Sequence, residues 1–241
     1  MIIKILLALL ILLIVFSAVM TFAHLGLQQD VEILDEYTTI LGKNSNGTVY
    51  KITCGNNSST DTAILILGVH SLEGGIHNAT NKTIIEFTKD NDLNRKYIIY
   101  FIKLNFNDSG MNTSDYDTNR HMGEMLANKY VVPDIENYNP YIVVDVHEME
   151  GYWEKQRYVG VIDNTSTVTM DYANRISDNV GGYPIYTINA GTSPKWVTVP
   201  ISKNGHNVIL FETAQTDNQT NKTQTAIDLI RTIDILPSYV E

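Results

Sequence analysis

The sequence predicts an α/β fold: a mixed, largely parallel sheet with helices on both faces, preceded by one N-terminal transmembrane helix. Short, β-branched, apolar runs recur along the chain at the lengths of fully buried strands. Segments with helical spacing of apolar residues lie between them, and such alternation builds a sheet covered on both sides. Ahead of both, residues 5–23 ("ILLALLILLIVFSAVMTFA") carry no charge and only Ser17 and Thr21 as polar side chains.

That first run is long enough to cross a bilayer as a helix, whereas a soluble core helix would show a polar face. Lys4 precedes it, while Asp30, Glu32, Asp35 and Glu36 follow, which orients the N-terminus toward the cytosol and the rest outward. Thr21-Phe22-Ala23 offers a signal-peptidase site, but the length of the run favours an uncleaved anchor. The expected product is a single-pass membrane protein with its C-terminal domain outside the cell, or a secreted one if residues 1–23 are removed. Residues 24–33 read as a juxtamembrane spacer, and residues 34–241 suit one α/β domain.

Within that domain, "TVYKITC" (48–54), "TAILILGV" (62–69), "KYIIYFIKL" (96–104), "YIVVDVH" (141–147), "YPIYTI" (183–188) and "NVILFET" (207–213) read as strands. Helices are expected over 81–90, 121–131, 168–180 and 223–236. The last carries Ile227, Ile230 and Ile233 on one side, with Leu229 and Leu236 nearby, as a stripe for packing on a sheet.

Composition excludes several classes of function. A net charge of −10 with scattered basic residues gives nucleic acid no footprint. The single cysteine, Cys54, rules out an internal disulfide or a Cys-rich zinc cluster. Ten N-x-Ser/Thr sequons, at Asn46, Asn56, Asn57, Asn78, Asn81, Asn107, Asn112, Asn164, Asn218 and Asn221, exceed the roughly three or four expected by chance and favour a glycosylated exterior domain.

In sheets of this class, ligands bind beyond the carboxyl ends of the strands. Three polar residues follow buried strands there: His70 after "AILILGV", His147 after "YIVVDV" and Glu212 after "NVILF". Glu73, three residues past His70, can be aimed by one tight turn at the same point. A hydrolytic Zn²⁺ needs about three protein ligands with a fourth position open. His70, Glu73 and His147 are the candidate ligands, and Glu212 is the candidate carboxylate for proton transfer.

With "GVHSLEG", "DTNR", "DVHE" and the glutamate of "FET" in that order, the sequence resembles the zinc carboxypeptidase superfamily, which includes aspartoacylase-like and succinylglutamate desuccinylase-like deacylases. The resemblance spans residues 68–212. It implies a zinc carboxypeptidase-like fold, Zn²⁺ on His70, Glu73 and His147, and catalysis by Glu212. It further implies that Asp117 supports the first histidine, that Asp145 supports the second, and that Asn119 and Arg120 grip a substrate carboxylate. The substrate would then be a peptide, or an N-acyl amino acid, with a free carboxylate.

Several features depart from the family's pattern. No arginine lies between "NFNDSG" and Arg120 to stabilise an oxyanion; Arg95 and Lys103 are the nearest cations. His121 stands where carboxypeptidases commonly have asparagine. Tyr183, Tyr186 and Trp196 are only neighbours of the region that should supply a closing tyrosine. The compact interval from His147 to Glu212 is nearer to the deacylase branch. A surface binding module that keeps the fold and has lost turnover is the reading from another class.

Other residues read more plainly. His77 is expected to be a solvated loop histidine and His206 a turn histidine. Strand alternation sends Glu148 to the face opposite His147, and Glu150 flanks the same strand end. Arg120 also stands four residues before Glu124, the spacing of a helical ion pair.

Overall fold

A computed structural model describes residues 37–105, 113–163, 165–188 and 192–239. The apolar run at 5–23 and the spacer at 24–33 lie outside the described residues. Among the described residues no helix is long and apolar enough to cross a membrane.

Eight strands form one sheet: β1 (Thr38–Asn44), β2 (Gly47–Gly55), β3 (Thr62–Leu67), β4 (Lys96–Leu104), β5 (Ile142–Met149), β6 (Tyr158–Ile162), β7 (Ile185–Ile188) and β8 (Val208–Ala214), in the order β1-β2-β4-β3-β5-β8-β6-β7. The centre, β4-β3-β5-β8, is parallel throughout. Antiparallel pairings join β2 to β4, β1 to β2 and β6 to β8, and β7 returns parallel to β6. The sheet is thus mixed with a parallel middle, which explains why "TAILIL" in β3 is buried at every position.

The helices are α1 (Gly74–Lys89), α2 (Thr113–Leu126), α3 (Val132–Ile135), α4 (Thr167–Asn179), α5 (Thr192–Trp196), α6 (Thr198–Lys203) and α7 (Gln219–Ile235), with a π-helical turn, Ala127–Val131, joining α2 to α3. Alternation along the strands divides the core in two. Leu65, Leu67, Val144, Val146 and Phe211 pack with Ile76 of α1, Ile176 of α4 and Leu229, Ile230 and Ile233 of α7. Ile64, Ile66 and Val143 pack on the opposite face with Leu126 of α2, Ile135 of α3 and Ile201 of α6. Ser166 caps α4 by accepting from Thr169 N at 3.0 Å, and Asn218 caps α7 by accepting from Asn221 N at 2.9 Å.

Two expectations change. Helix α1 begins at Gly74, not near residue 81, so His77 is a fully buried helix residue whose Nε2 meets Val146 O at 2.8 Å, not a solvated loop histidine. The same helix draws two sequons out of the exposed set. Asn81 is buried, and the side-chain oxygens of Asn78 and Asn81 are both enclosed. Neither offers the accessible loop that glycosylation requires.

Candidate metal centre

The central strands deliver the site. After β3 the chain turns at Gly68, whose φ is 80° and where a Cβ would stand 2.2 Å from Ile102 O, so only glycine fits the turn that leads to His70. A single 3₁₀ turn, Ser71–Glu73, then aims Glu73 back toward His70. On β5, Asp145 and His147 share a face two residues apart, and His147 pairs directly with Glu212 of β8. From above, α2 contributes Arg120 and Glu124. Its Gly123 lies so near the chain that a Cβ would be 1.8 Å from Val69 O.

The two imidazoles have the same pattern of contacts. His70 Nδ1 meets Glu73 Oε1 at 2.7 Å, and His147 Nδ1 meets Glu73 Oε2 at 2.7 Å. On the far side of each ring, His70 Nε2 lies 3.1 Å from Glu124 Oε1 and His147 Nε2 lies 2.9 Å from Asp145 Oδ1. Each ring thus turns Nδ1 inward to Glu73 and Nε2 outward to a second carboxylate, so an ion taken by Nδ1 would leave Nε2–H to donate to that carboxylate. The donor atoms of His70, Glu73 and His147 lie within 4.8 Å of one another, and all three residues are buried. Two imidazole nitrogens and one carboxylate suit Zn²⁺ and several other divalent ions. The residues present fit such an ion.

Charge in the site is strongly coupled. Burial works against an ionised Glu73, yet His70 and His147 beside it hold the carboxyl well below the usual range. Burial also opposes a charged His147, but Asp145 and Glu73 outweigh it and raise the imidazole well above the ordinary histidine value. Glu212 is pushed up to about 8, by burial first and by the Glu73 and Asp145 carboxylates, against His147 and Arg120. Its Oε2 is buried without a hydrogen-bond partner among the described residues.

Of the remaining predicted residues, Arg120 reaches in, with Nη1 donating to Glu73 Oε1 at 3.0 Å and to Glu150 Oε1 at 3.4 Å. Asn119 is half-buried beside it in α2. The side chain of Asp117 lies outside the described residues, and the carboxylate behind His70 is that of Glu124. Arg95 stands away from the site: it precedes β4 and pairs with Asp61 at the amino end of the parallel strands, whereas Lys103 is exposed near the carboxyl end of β4. Tyr183 stacks on Phe211 in the core, with ring centroids 5.7 Å apart.

Glu124 and Tyr158 were not singled out from the sequence as site residues. Glu124 had one signal, its place one helical turn past Arg120. Tyr158 stands directly across from Glu212 in the β6–β8 ladder, and burial together with that carboxylate raises its hydroxyl.

No protein-family model matches the chain, and no curated protein does. Solved structures do. Succinylglutamate desuccinylase from Vibrio parahaemolyticus superposes with a TM-score of 0.54 and 12% identity, over 89% of this chain and 70% of that one. The tripeptide-bound cell shape determinant Csd4 from Helicobacter pylori gives 0.52 and 11%, over 78% of this chain and 56% of that one. The chain therefore spans little more than half the length of Csd4. At such identities the likeness is one of fold, the zinc carboxypeptidase-like α/β fold.

Proposed function

We propose that the chain is a zinc-dependent amidohydrolase of carboxypeptidase type that cleaves an amide or peptide bond next to a free carboxylate. The observation that carries this reading is the pairing of two inward Nδ1 atoms on one carboxylate, each ring held from behind by another carboxylate. An ion on His70, Glu73 and His147 would supply Lewis acidity to a carbonyl and acidity to water at its open position. Glu124 and Asp145 hold the two rings in one tautomer and orientation. Glu212, basic through burial, takes the proton of the attacking water and returns it to the leaving nitrogen. The planar guanidinium of Arg120, steadied at the mouth by Glu150, pairs with the substrate's carboxylate, with Asn119 beside it.

Cleavage of an N-acyl amino acid is the second reading. It is favoured by the short interval between His147 and Glu212 and by the larger share of the desuccinylase that the chain covers. Anchoring by residues 5–23, with the domain outside, belongs to the same proposal and rests on the uninterrupted apolar run.

The test is elemental analysis of the purified full-length chain, followed by hydrolysis of a panel of C-terminal peptides and N-acyl amino acids by wild type and Glu212→Gln. Stoichiometric zinc and turnover lost in Glu212→Gln support the hydrolase. Stoichiometric zinc with no turnover on either panel points to a binding module, and absence of zinc under metal-replete conditions removes the metal reading.

A further inference from the structure

Behind the candidate ligands, on the face of the sheet that carries α1 and α7, lies an ion pair that the proposed chemistry does not use. Glu148 and Lys222 are both buried, and Lys222 Nζ stands 2.6 Å from Glu148 Oε1. A lysine in the first turn of a helix opposes the helix dipole, and burial of its ammonium adds a further cost unless it is fully paired.

The partners of this pair converge on the turn that carries Glu73. Glu148 Oε1 also accepts from Ile76 N at 2.7 Å. Lys222 Nζ donates to Gln215 O at 3.1 Å, and Gln215 Nε2 donates to Leu72 O at 3.1 Å. Glu148 N donates to Glu73 Oε2 at 3.2 Å. The segment from Leu72 to Ile76 is thus held at a carbonyl, at the Glu73 carboxylate and at an amide, by groups from β5, the loop after β8 and α7. Gly75 is what lets them approach, since a Cβ there would lie 2.4 Å from Lys222 Nζ and 2.8 Å from Glu148 Oε1.

We propose that Lys222, Glu148 and Gln215 form a latch that sets the position of the Glu73 turn and thereby the metal affinity of the site. They are positioning residues: Glu148 points away from His147, and none of the three side chains reaches the candidate ligand atoms. The inference rests on the metal reading above.

Zinc affinity is measured by chelator competition on the full-length chain, at a temperature where circular dichroism reports each variant folded. Lys222→Met is expected to weaken zinc by about 10- to 100-fold, the scale of lost outer-shell support. Leu229→Ala, a cavity in the same helix, lowers the melting temperature and leaves zinc affinity unchanged. If Lys222→Met fails to fold, the charge-neutral pair Lys222→Met/Glu148→Gln decides, and it too is expected to bind zinc weakly. Wild-type affinity in a folded Lys222→Met or in the double variant overturns the latch, as does an equal loss of affinity in Leu229→Ala. A wild-type chain that binds no zinc overturns the metal reading itself, a distinct result.

Discussion

Gly123→Ala pits helix propensity against close packing, and the two give opposite signs. In a helix interior alanine is favoured over glycine by about 0.5–1 kcal/mol, so propensity alone predicts a more stable protein. Geometry predicts the reverse. The new Cβ would stand 1.8 Å from Val69 O, a backbone atom that has no rotamer to yield. Helix α2 must retreat by roughly 1.5 Å to restore an ordinary contact, which takes Glu124 Oε1 from 3.1 Å to beyond hydrogen-bonding distance of His70 Nε2. Strain of about 1–3 kcal/mol combines with the loss of a hydrogen bond to a charged group at about 1.5–3 kcal/mol, and the propensity gain of about 0.5–1 kcal/mol offsets part of it, for a net loss of roughly 1.5–5.5 kcal/mol. Zinc affinity falls about 10- to 100-fold as His70 loses its support. Chemical denaturation and chelator competition on the same preparation read both. A variant as stable as wild type, with unchanged zinc affinity, would show that α2 is not held by this approach.

Metal binding should be linked to pH through His147. Its raised pKa keeps the imidazole charged in the metal-free protein near neutrality, and Nδ1 must lose its proton to act as a ligand, so zinc affinity rises with pH by up to about tenfold per unit. The same group stabilises the metal-free fold fully below its ordinary value of 6.5 and progressively less as pH climbs through the raised value; a flat affinity from pH 6 to 8 would exclude this role. Arg120→Lys replaces a planar fork by a point charge and should raise KM about tenfold for substrates with a free carboxylate, leaving amidated analogues unaffected. An equal change on both, in steady-state kinetics, would show that Arg120 does not read the carboxylate.

Legibility followed the physical strength of each pattern. The parallel centre was visible because a strand buried on both faces becomes a continuous apolar run, as in "TAILIL" and "KYIIYFIKL". β1 was not, because an edge strand with Gly42 and Lys43 and mostly exposed or half-buried residues lacks both runs and clean alternation. β6, "YVGVI", is five residues around a glycine, and missing it hid Tyr158. Helices α5 and α6 are too short for a period and contain Pro194 and Pro200. The early start of α1 was masked by the pair Gly74-Gly75, which reads as a loop until the space needed by Lys222 and Glu148 is known. Within the site, residues at strand ends could be named from position, whereas Glu124 and Lys222 depend on how helices cross the sheet, which spacing along one chain does not encode.

The electrostatics argue for a cation independently of any motif. Glu73, Glu124, Asp145 and Glu212 are each less than a tenth exposed, and all lie around two imidazoles. Only Arg120 adds a permanent positive charge on the described side chains facing them. Even with both histidines protonated, four ionised carboxylates would leave one negative charge in excess, in a region where an unpaired ion is costly. Glu212 is pushed up to about 8 by burial and by the neighbouring Glu73 and Asp145 carboxylates, the direction such an excess gives. A divalent cation on the ligand set would offset that excess. On the function proposed above, an ion in the site would favour the ionised form of Glu212, the form that accepts a proton from water.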